Sequence, residues 1–139
     1  MLWMLLVGSL ALAEPTVDQQ VQTKLVERVA DLRVEQLEIE VTLKAWEAQL
    51  ADGKTLEVAM ALRRPSLDDL LTQRSSAAVE LLDLSQRYGE RHPELLAARA
   101  GLEAIGTHLR EEVQRVLLSE RVRLEVLQAT EQALLAATP

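Results

Sequence analysis

One uninterrupted heptad pattern near the start of the chain most constrains its fold. Residues 16–51 contain no glycine or proline. Within them, apolar side chains recur at alternating steps of four and three residues, with a single polar exception at Gln36. This spacing keeps one helix face against a partner helix, so it predicts a coiled coil. The predicted seam residues are Leu25, Val29, Leu32, Ile39, Leu43, Trp46 and Leu50.

The composition also favours long helices over a compact core built on aromatic residues. The 139 residues include no Phe, one Tyr and two Trp, and Leu, Val and Ala supply almost all of the apolar content. Net charge is −7, with acidic and basic residues interspersed. The lack of a basic block argues against nucleic acid, and the acidic surface argues against strong binding to anionic lipid. The absence of cysteine excludes disulfides and thiolate metal sites.

The first thirteen residues have the pattern of a cleaved secretory signal peptide. They contain no charged side chain, and their apolar run of about twelve residues is shorter than the roughly 20 that a membrane span needs. The run ends in Ala-Leu-Ala, the small-x-small pattern that precedes a cleavage site. The usual Lys or Arg before the run is missing, and a retained anchor or an apolar helix packed on the chain are the alternatives. We expect cleavage near Ala13–Glu14 and a periplasmic or secreted protein.

Turn signals divide the remaining chain into three segments. We expect the first coiled-coil helix over residues 14–52, since Asp52-Gly53 is a strong turn signal. Residues 53–65 should form a short helix and a turn, and Ser66 should cap the helix that follows. Residues 66–139 are then a helix-turn-helix coiled coil broken at residues 89–93. The predicted seam residues of this last segment are Leu81, Leu84, Leu102, Ile105, Leu109 and Val116.

The length of the final helix decides the architecture. No proline interrupts the chain between Pro93 and residue 137, so the pattern predicts a helix of about 45 residues, or roughly 65 Å. A compact globular domain of this size does not contain a helix that long. The predicted fold class is therefore all-α, an elongated antiparallel helical hairpin or coiled coil with long helices.

The sequence offers no arrangement of residues typical of an active site. The only histidines, His92 and His108, are sixteen residues apart, and no Gly-rich phosphate loop or Gly-x-Ser-x-Gly motif occurs. The carboxylate pairs Asp68-Asp69 and Glu111-Glu112 are adjacent on predicted helices, so their side chains diverge. We therefore expect no enzyme activity, no cofactor and no metal site.

The break between the last two helices has a distinctive sequence, Tyr-Gly-Glu-Arg-His-Pro at residues 88–93. Gly89 suits the left-handed position after a helix end, and Pro93 suits the first position of a new helix. Tyr88 and His92 are expected to be structural, with the Tyr88 ring closing the seam and His92 hydrogen-bonding across the turn.

This turn and the helix after it resemble the coiled-coil region of the exopolysaccharide co-polymerase and chain-length determinant family. The matching residues are Tyr88, Gly89, His92 and Pro93, followed by Ala97, Ala100, Leu102 and Ile105. The resemblance covers about residues 63–137. Members of that family have a membrane helix at each end and often a cytoplasmic kinase domain, neither of which this sequence has. It would correspond to a detached, soluble form of the periplasmic coiled coil.

These observations predict an exported, non-catalytic coiled-coil protein with a structural or scaffolding role. The resemblance implies an association with envelope polysaccharide export. Expected partners are proteins bound through coiled-coil contacts, either further copies of the chain or envelope proteins, with no nucleic acid and no stable membrane span after signal cleavage. The alternative is a periplasmic holdase-type chaperone with helical arms, although such chaperones usually present a basic cavity and this chain is acidic.

Overall fold

A computed structural model describes residues 16–137, and all the regular elements in that range are α-helices. Long helices pack against each other as in a helical hairpin, which confirms the predicted all-α fold class. The signal peptide predicted at residues 1–13 lies outside the described residues. The helices are α1 (Val17–Ala51), α2 (Thr55–Leu62), α3 (Pro65–Arg87) and α4 (Pro93–Ala136).

The chain divides into two compact units. The described part of the first unit consists of residues 16–38 and 125–137, and the second unit consists of residues 39–124. Helices α1 and α4 therefore each contribute residues to both units, whereas α2 and α3 belong to the second unit alone.

In the first unit, the beginning of α1 runs antiparallel to the end of α4. Leu25 lines the same groove as Leu135, while Gln36, further along α1, donates to the carbonyl oxygen of Leu127. The start of α1 is fixed by a capping box. The hydroxyl of Thr16 accepts the backbone N–H of Gln19 at 3.3 Å, and the Gln19 side chain accepts the Thr16 N–H at 3.0 Å.

The second unit has an apolar core to which all four helices contribute. The short helix α2 buries Val58 and Ala59 completely, and α3 buries Leu67. Helices α3 and α4 are joined by the turn at residues 88–92. The core cluster consists of Leu43, Val58, Ala59, Leu67, Leu109, Val113 and Leu117.

The ends of α1 and α2, both in the second unit, are set by two left-handed residues. Gly53 has a φ of 79°, and its N–H bonds the carbonyl of Leu50 while the N–H of Lys54 bonds that of Gln49. This is the Schellman motif, which favours glycine because a Cβ would be strained at positive φ. Arg63 adopts a similar left-handed conformation after α2, with a φ of 50°.

The start of α3 differs from the prediction. Pro65 occupies the first helical position, and Arg64 precedes it in an extended conformation without a side-chain capping bond. The predicted cap at Ser66 is therefore wrong, since Ser66 already lies inside the helix. Proline displaces the start because its fixed φ and missing N–H match the first helical position.

Candidate functional site

Every predicted seam residue of α1 is at least partly shielded from solvent. Gln36, the polar exception in the heptad pattern, is also half-buried. The seam therefore serves contacts within the chain. Val29, Leu32, Ile39 and Leu43 are buried, and Leu25, Trp46 and Leu50 are half-buried.

The predicted seam residues of α3 and α4 also lie inside the second unit. Leu109 is buried, while Leu81, Leu84, Leu102, Ile105 and Val116 are half-buried. The most deeply buried part of α4 includes Val113, which the heptad reading left out. Leu109, Val113 and Leu117 follow one another at steps of four, and this spacing is the signal that could have identified Val113.

A polar layer interrupts the apolar seam of the first unit, formed by Arg33 and Gln36 of α1 and Glu131 of α4. Glu131 is the one buried polar residue among residues 16–137. Its carboxylate accepts the Nε–H of Arg33 at 2.6 Å and the Nε2–H of Gln36 at 2.9 Å. A shift of one helix by a turn would leave the buried carboxylate without these donors, so the layer fixes the register of this helix pair.

The same contacts determine how Glu131 titrates. The hydrogen bond from Arg33, followed by the one from Gln36, holds the pKa of Glu131 below its ordinary value of 4.5. Burial acts in the opposite direction, but the two donors and the positive charge of Arg33 outweigh it. Glu131 is therefore ionised at neutral pH, as an acceptor-only group between two donors must be.

In the second unit, two ion pairs connect α4 to other segments. Arg64, between α2 and α3, bonds Glu120 at 2.7 Å, and the Glu120 side chain is largely buried. Arg121 pairs with Glu47 on α1. Arg64 and both partners of the second pair are substantially exposed to solvent, so these pairs contribute little stability.

The turn at residues 88–92 is held together by the two aromatic rings that the sequence analysis singled out. The rings of Tyr88 and His92 stack with centroids 3.9 Å apart and an interplanar angle of 17°. Nδ1 of His92 accepts the N–H of Glu94 at 3.2 Å, so the imidazole acts as the N-cap of α4. Pro93 follows at the first helical position, where the sequence placed it.

Three details of this turn differ from expectation. Gly89 is not left-handed; its carbonyl instead accepts the N–H of His92 at 3.0 Å and closes a β-turn. The His92 side chain bonds the helix after it and not the opposite side of the turn. The Tyr88 ring does not close the seam, because Tyr88 follows α3 with an extended backbone and is exposed. The stack and the cap together make this a structural element.

An open cleft of about 520 Å³ lies between α3 and α4 in the second unit. Small side chains leave room between the helices, and nothing would obstruct a Cβ at Gly101. Glu80 and Glu94 supply negative charge at its edges. The lining residues are Ala77, Glu80, Leu84, Glu94, Ala97, Ala98, Gly101 and Ile105.

Within residues 16–137, no group of three or more His, Asp or Glu side chains is arranged to hold a metal ion. His108 is exposed and lies 3.8 Å from Glu111 on the same helix face. Asp68 and Asp69 are exposed at the start of α3. In the same part of the chain, no helix has a stretch long and apolar enough to cross a bilayer.

Comparisons with known proteins give no relative for this chain. No family model, no curated protein and no solved structure matches it.

Proposed function

We propose that this protein is an exported, non-catalytic scaffold that binds other helical proteins through coiled-coil contacts. The observation that carries the proposal is the position of its exposed apolar side chains. In the second unit, Val79 and Leu82 lie three residues apart on α3 and are 66% and 61% exposed. Leu118 and Val122, four residues apart on α4, are exposed in the same way.

Spacings of three and four place each pair on one helix face, which is how a partner helix is recognised. Scattered exposed apolar residues are ordinary in proteins, whereas paired ones at helical spacing on long helices form a surface that another helix can cover. The inner seam residues are buried or half-buried within the chain, so partners are expected mainly on these outer faces. The acidic cleft between α3 and α4 favours partner helices with Lys or Arg beside their apolar stripe.

The biological setting we propose is the cell envelope, and polysaccharide export within it. Support for the setting comes from the sequence: the signal-like residues 1–13 and the resemblance of residues 63–137 to the co-polymerase coiled coil.

Crosslinking in intact cells, followed by purification of the tagged protein and mass spectrometry, tests the proposal. We expect polysaccharide-export membrane proteins to be recovered with the wild type and lost with the double substitution Val79→Asp, Leu82→Asp. Gln73→Asp is the matched control, since Gln73 is exposed on another face of α3. Recovery that is the same with all three proteins would contradict binding through this face.

The same experiment separates a scaffold from a holdase chaperone. A chaperone would recover many unrelated unfolded envelope proteins and would suppress the aggregation of an unfolded outer-membrane protein at equimolar amounts. The net charge of −7 favours the scaffold, because an acidic surface repels acidic unfolded chains.

A further inference from the structure

The first unit carries an apolar stripe on the outer face of α1, formed by Val26, Ala30, Val34 and Leu37, and referred to here as the outer stripe. Its members follow one another at steps of four, four and three, and all are exposed. At 100° per residue, the stripe lies roughly 130° around the helix from the buried seam. Val26 and Ala30 also line a groove with Leu135 of α4, but all four side chains stay exposed, so the first unit presents apolar surface that its own α4 segment leaves accessible.

The residue types in the outer stripe indicate what covers it. In heptad terms, Val34 occupies an a position, Leu37 the next d position and Ala30 the d position before them. Val26 falls at g and Glu27 at the preceding a, so the apolar seam begins at Ala30. A β-branched residue at a with leucine at d favours a parallel, two-stranded coiled coil. A small residue at Ala30 allows the two backbones to approach closely.

The flanking charges indicate the orientation. In this register, Arg33 occupies a g position, and Asp31 and Glu38 occupy e positions. In a parallel pair of identical helices, the residue at a g position of one helix faces the residue at the e position of the following heptad on the other. Arg33 of each copy therefore faces Glu38 of the other copy, which gives two equivalent ion pairs. In an antiparallel pair Arg33 would face Glu40 instead, but Asp31 would also face Glu38, and this acidic repulsion would offset the attraction.

The existing contacts of these residues are compatible with such pairs. Arg33 uses Nε for Glu131, and its side chain is 63% exposed. Glu38 already takes part in a contact with its own chain. A carboxylate has about four acceptor sites, so Glu38 can accept the guanidinium group of a second copy in addition to its existing contact.

We propose that two copies of this protein associate in parallel through the outer stripe of α1, with Arg33 of each copy paired to Glu38 of the other. The flanking charges favour a second copy as the occupant, because Arg33 and Glu38 complement each other across two identical α1 helices, and a second copy buries both stripes at once. The interface uses α1 and does not depend on the proposed partner surface on α3.

Cysteine crosslinking of the full chain tests both the interface and its direction. Because the chain has no native cysteine, Ala30→Cys, Val34→Cys and Leu37→Cys each place one thiol in the outer stripe. In a parallel pair, each of these residues lies opposite the same residue of the second copy, within the distance that a disulfide can bridge. All three variants should therefore form covalent dimers on mild oxidation. Val126→Cys is the control, since Val126 is equally exposed on α4 of the same unit.

Disulfides at only one of the three positions would overturn the parallel arrangement. In an antiparallel pair, a residue lies opposite the same residue of the other copy only near the two-fold axis. No disulfide at any of them, or as much at position 126, would overturn the interface.

Light scattering after size exclusion gives the second test. The wild type should have the mass of two chains, and Val34→Glu, Leu37→Glu should have the mass of one at the same concentration. Val126→Glu should remain a dimer, and circular dichroism should show all three to be equally helical. A monomeric wild type, or a dimer that survives the double substitution, would contradict the proposal.

Discussion

The two units bury their helices in different ways. The second unit brings segments of four helices around a core whose buried members are all apolar. The described part of the first unit consists of two helix segments, and the polar layer of Arg33, Gln36 and Glu131 lies across its seam. Apolar packing is stabilising but allows one helix to shift along another. A buried carboxylate adds little stability, but its hydrogen bonds form in few helix registers. The comparison suggests that packing dominates the stability of the second unit and that polar contacts define the alignment of the first.

The largest expected effect tests the packing of the second unit. Leu67→Ala removes a completely buried side chain from the core and should lower the free energy of unfolding by about 2–5 kcal/mol. Leu82→Ala is the matched control, because Leu82 is an exposed leucine on the same helix and should change stability by less than about 0.5 kcal/mol. Urea unfolding followed by circular dichroism measures both. Equal effects would mean that Leu67 does not support the core.

The next prediction concerns the polar layer. Glu131→Ala leaves Arg33 and Gln36 without their acceptor, so the midpoint of thermal unfolding should fall, by less than for Leu67→Ala. The double substitution Gln36→Leu, Glu131→Leu makes the two more buried members of the layer apolar, leaves the exposed Arg33 in place, and should recover the midpoint or raise it.

In the double variant, we expect α1 to be less firmly held in register against α4 within the first unit. Amide hydrogen exchange at Leu32 and Leu127 should then be faster than in the wild type. A double variant that is as protected as the wild type would show that the polar layer does not set the register.

A smaller effect is expected at the end of α2 in the second unit. Arg63 holds a left-handed conformation that costs an L side chain about 1 kcal/mol and costs glycine almost nothing. Arg63→Gly should therefore stabilise the protein by up to about 1 kcal/mol, with the greater freedom of glycine in the unfolded chain offsetting part of the gain. Gly53→Ala, at the other left-handed position, should destabilise it. Urea unfolding of the two variants should show opposite signs, and a loss of stability in both would argue against strain at Arg63.

The smallest expected effect is a pH dependence that belongs to the first unit. The pKa of Glu131 is lower in the folded than in the unfolded chain, so its contribution to stability is present above about 4.5 and is lost as pH falls through the folded value. The difference in stability between pH 7 and pH 3 should therefore be smaller in Glu131→Gln than in the wild type. A Glu103→Gln variant, altered at an exposed position, should keep the wild-type pH dependence. An unchanged pH profile in Glu131→Gln would contradict the assignment.

Much of the secondary structure could be predicted from the sequence because the signals are local. The heptad steps from Leu25 to Leu50 predicted a first helix over residues 14–52, and α1 covers Val17–Ala51. The pattern after Pro93 predicted a helix of about 45 residues, and α4 has 44. Local signals were wrong at the start of α3, where both Pro65 and Ser66 are residues that favour a helix N-terminus. They were also wrong at Gly89, because a turn of this length can adopt several backbone conformations.

Helix formation, inward-facing seams and the break before Pro93 follow from the sequence by itself, because spacing and backbone restrictions act within a few residues. The tertiary structure alone decided which residues meet across the chain. Arg33 and Glu131 are 98 positions apart, and no periodicity pairs them. Val58 and Ala59, in a helix of eight residues, become core only because α3 and α4 cover them. A repeat shows which face of a helix is apolar, but the register between two faces depends on contacts that form only when both helices are in place.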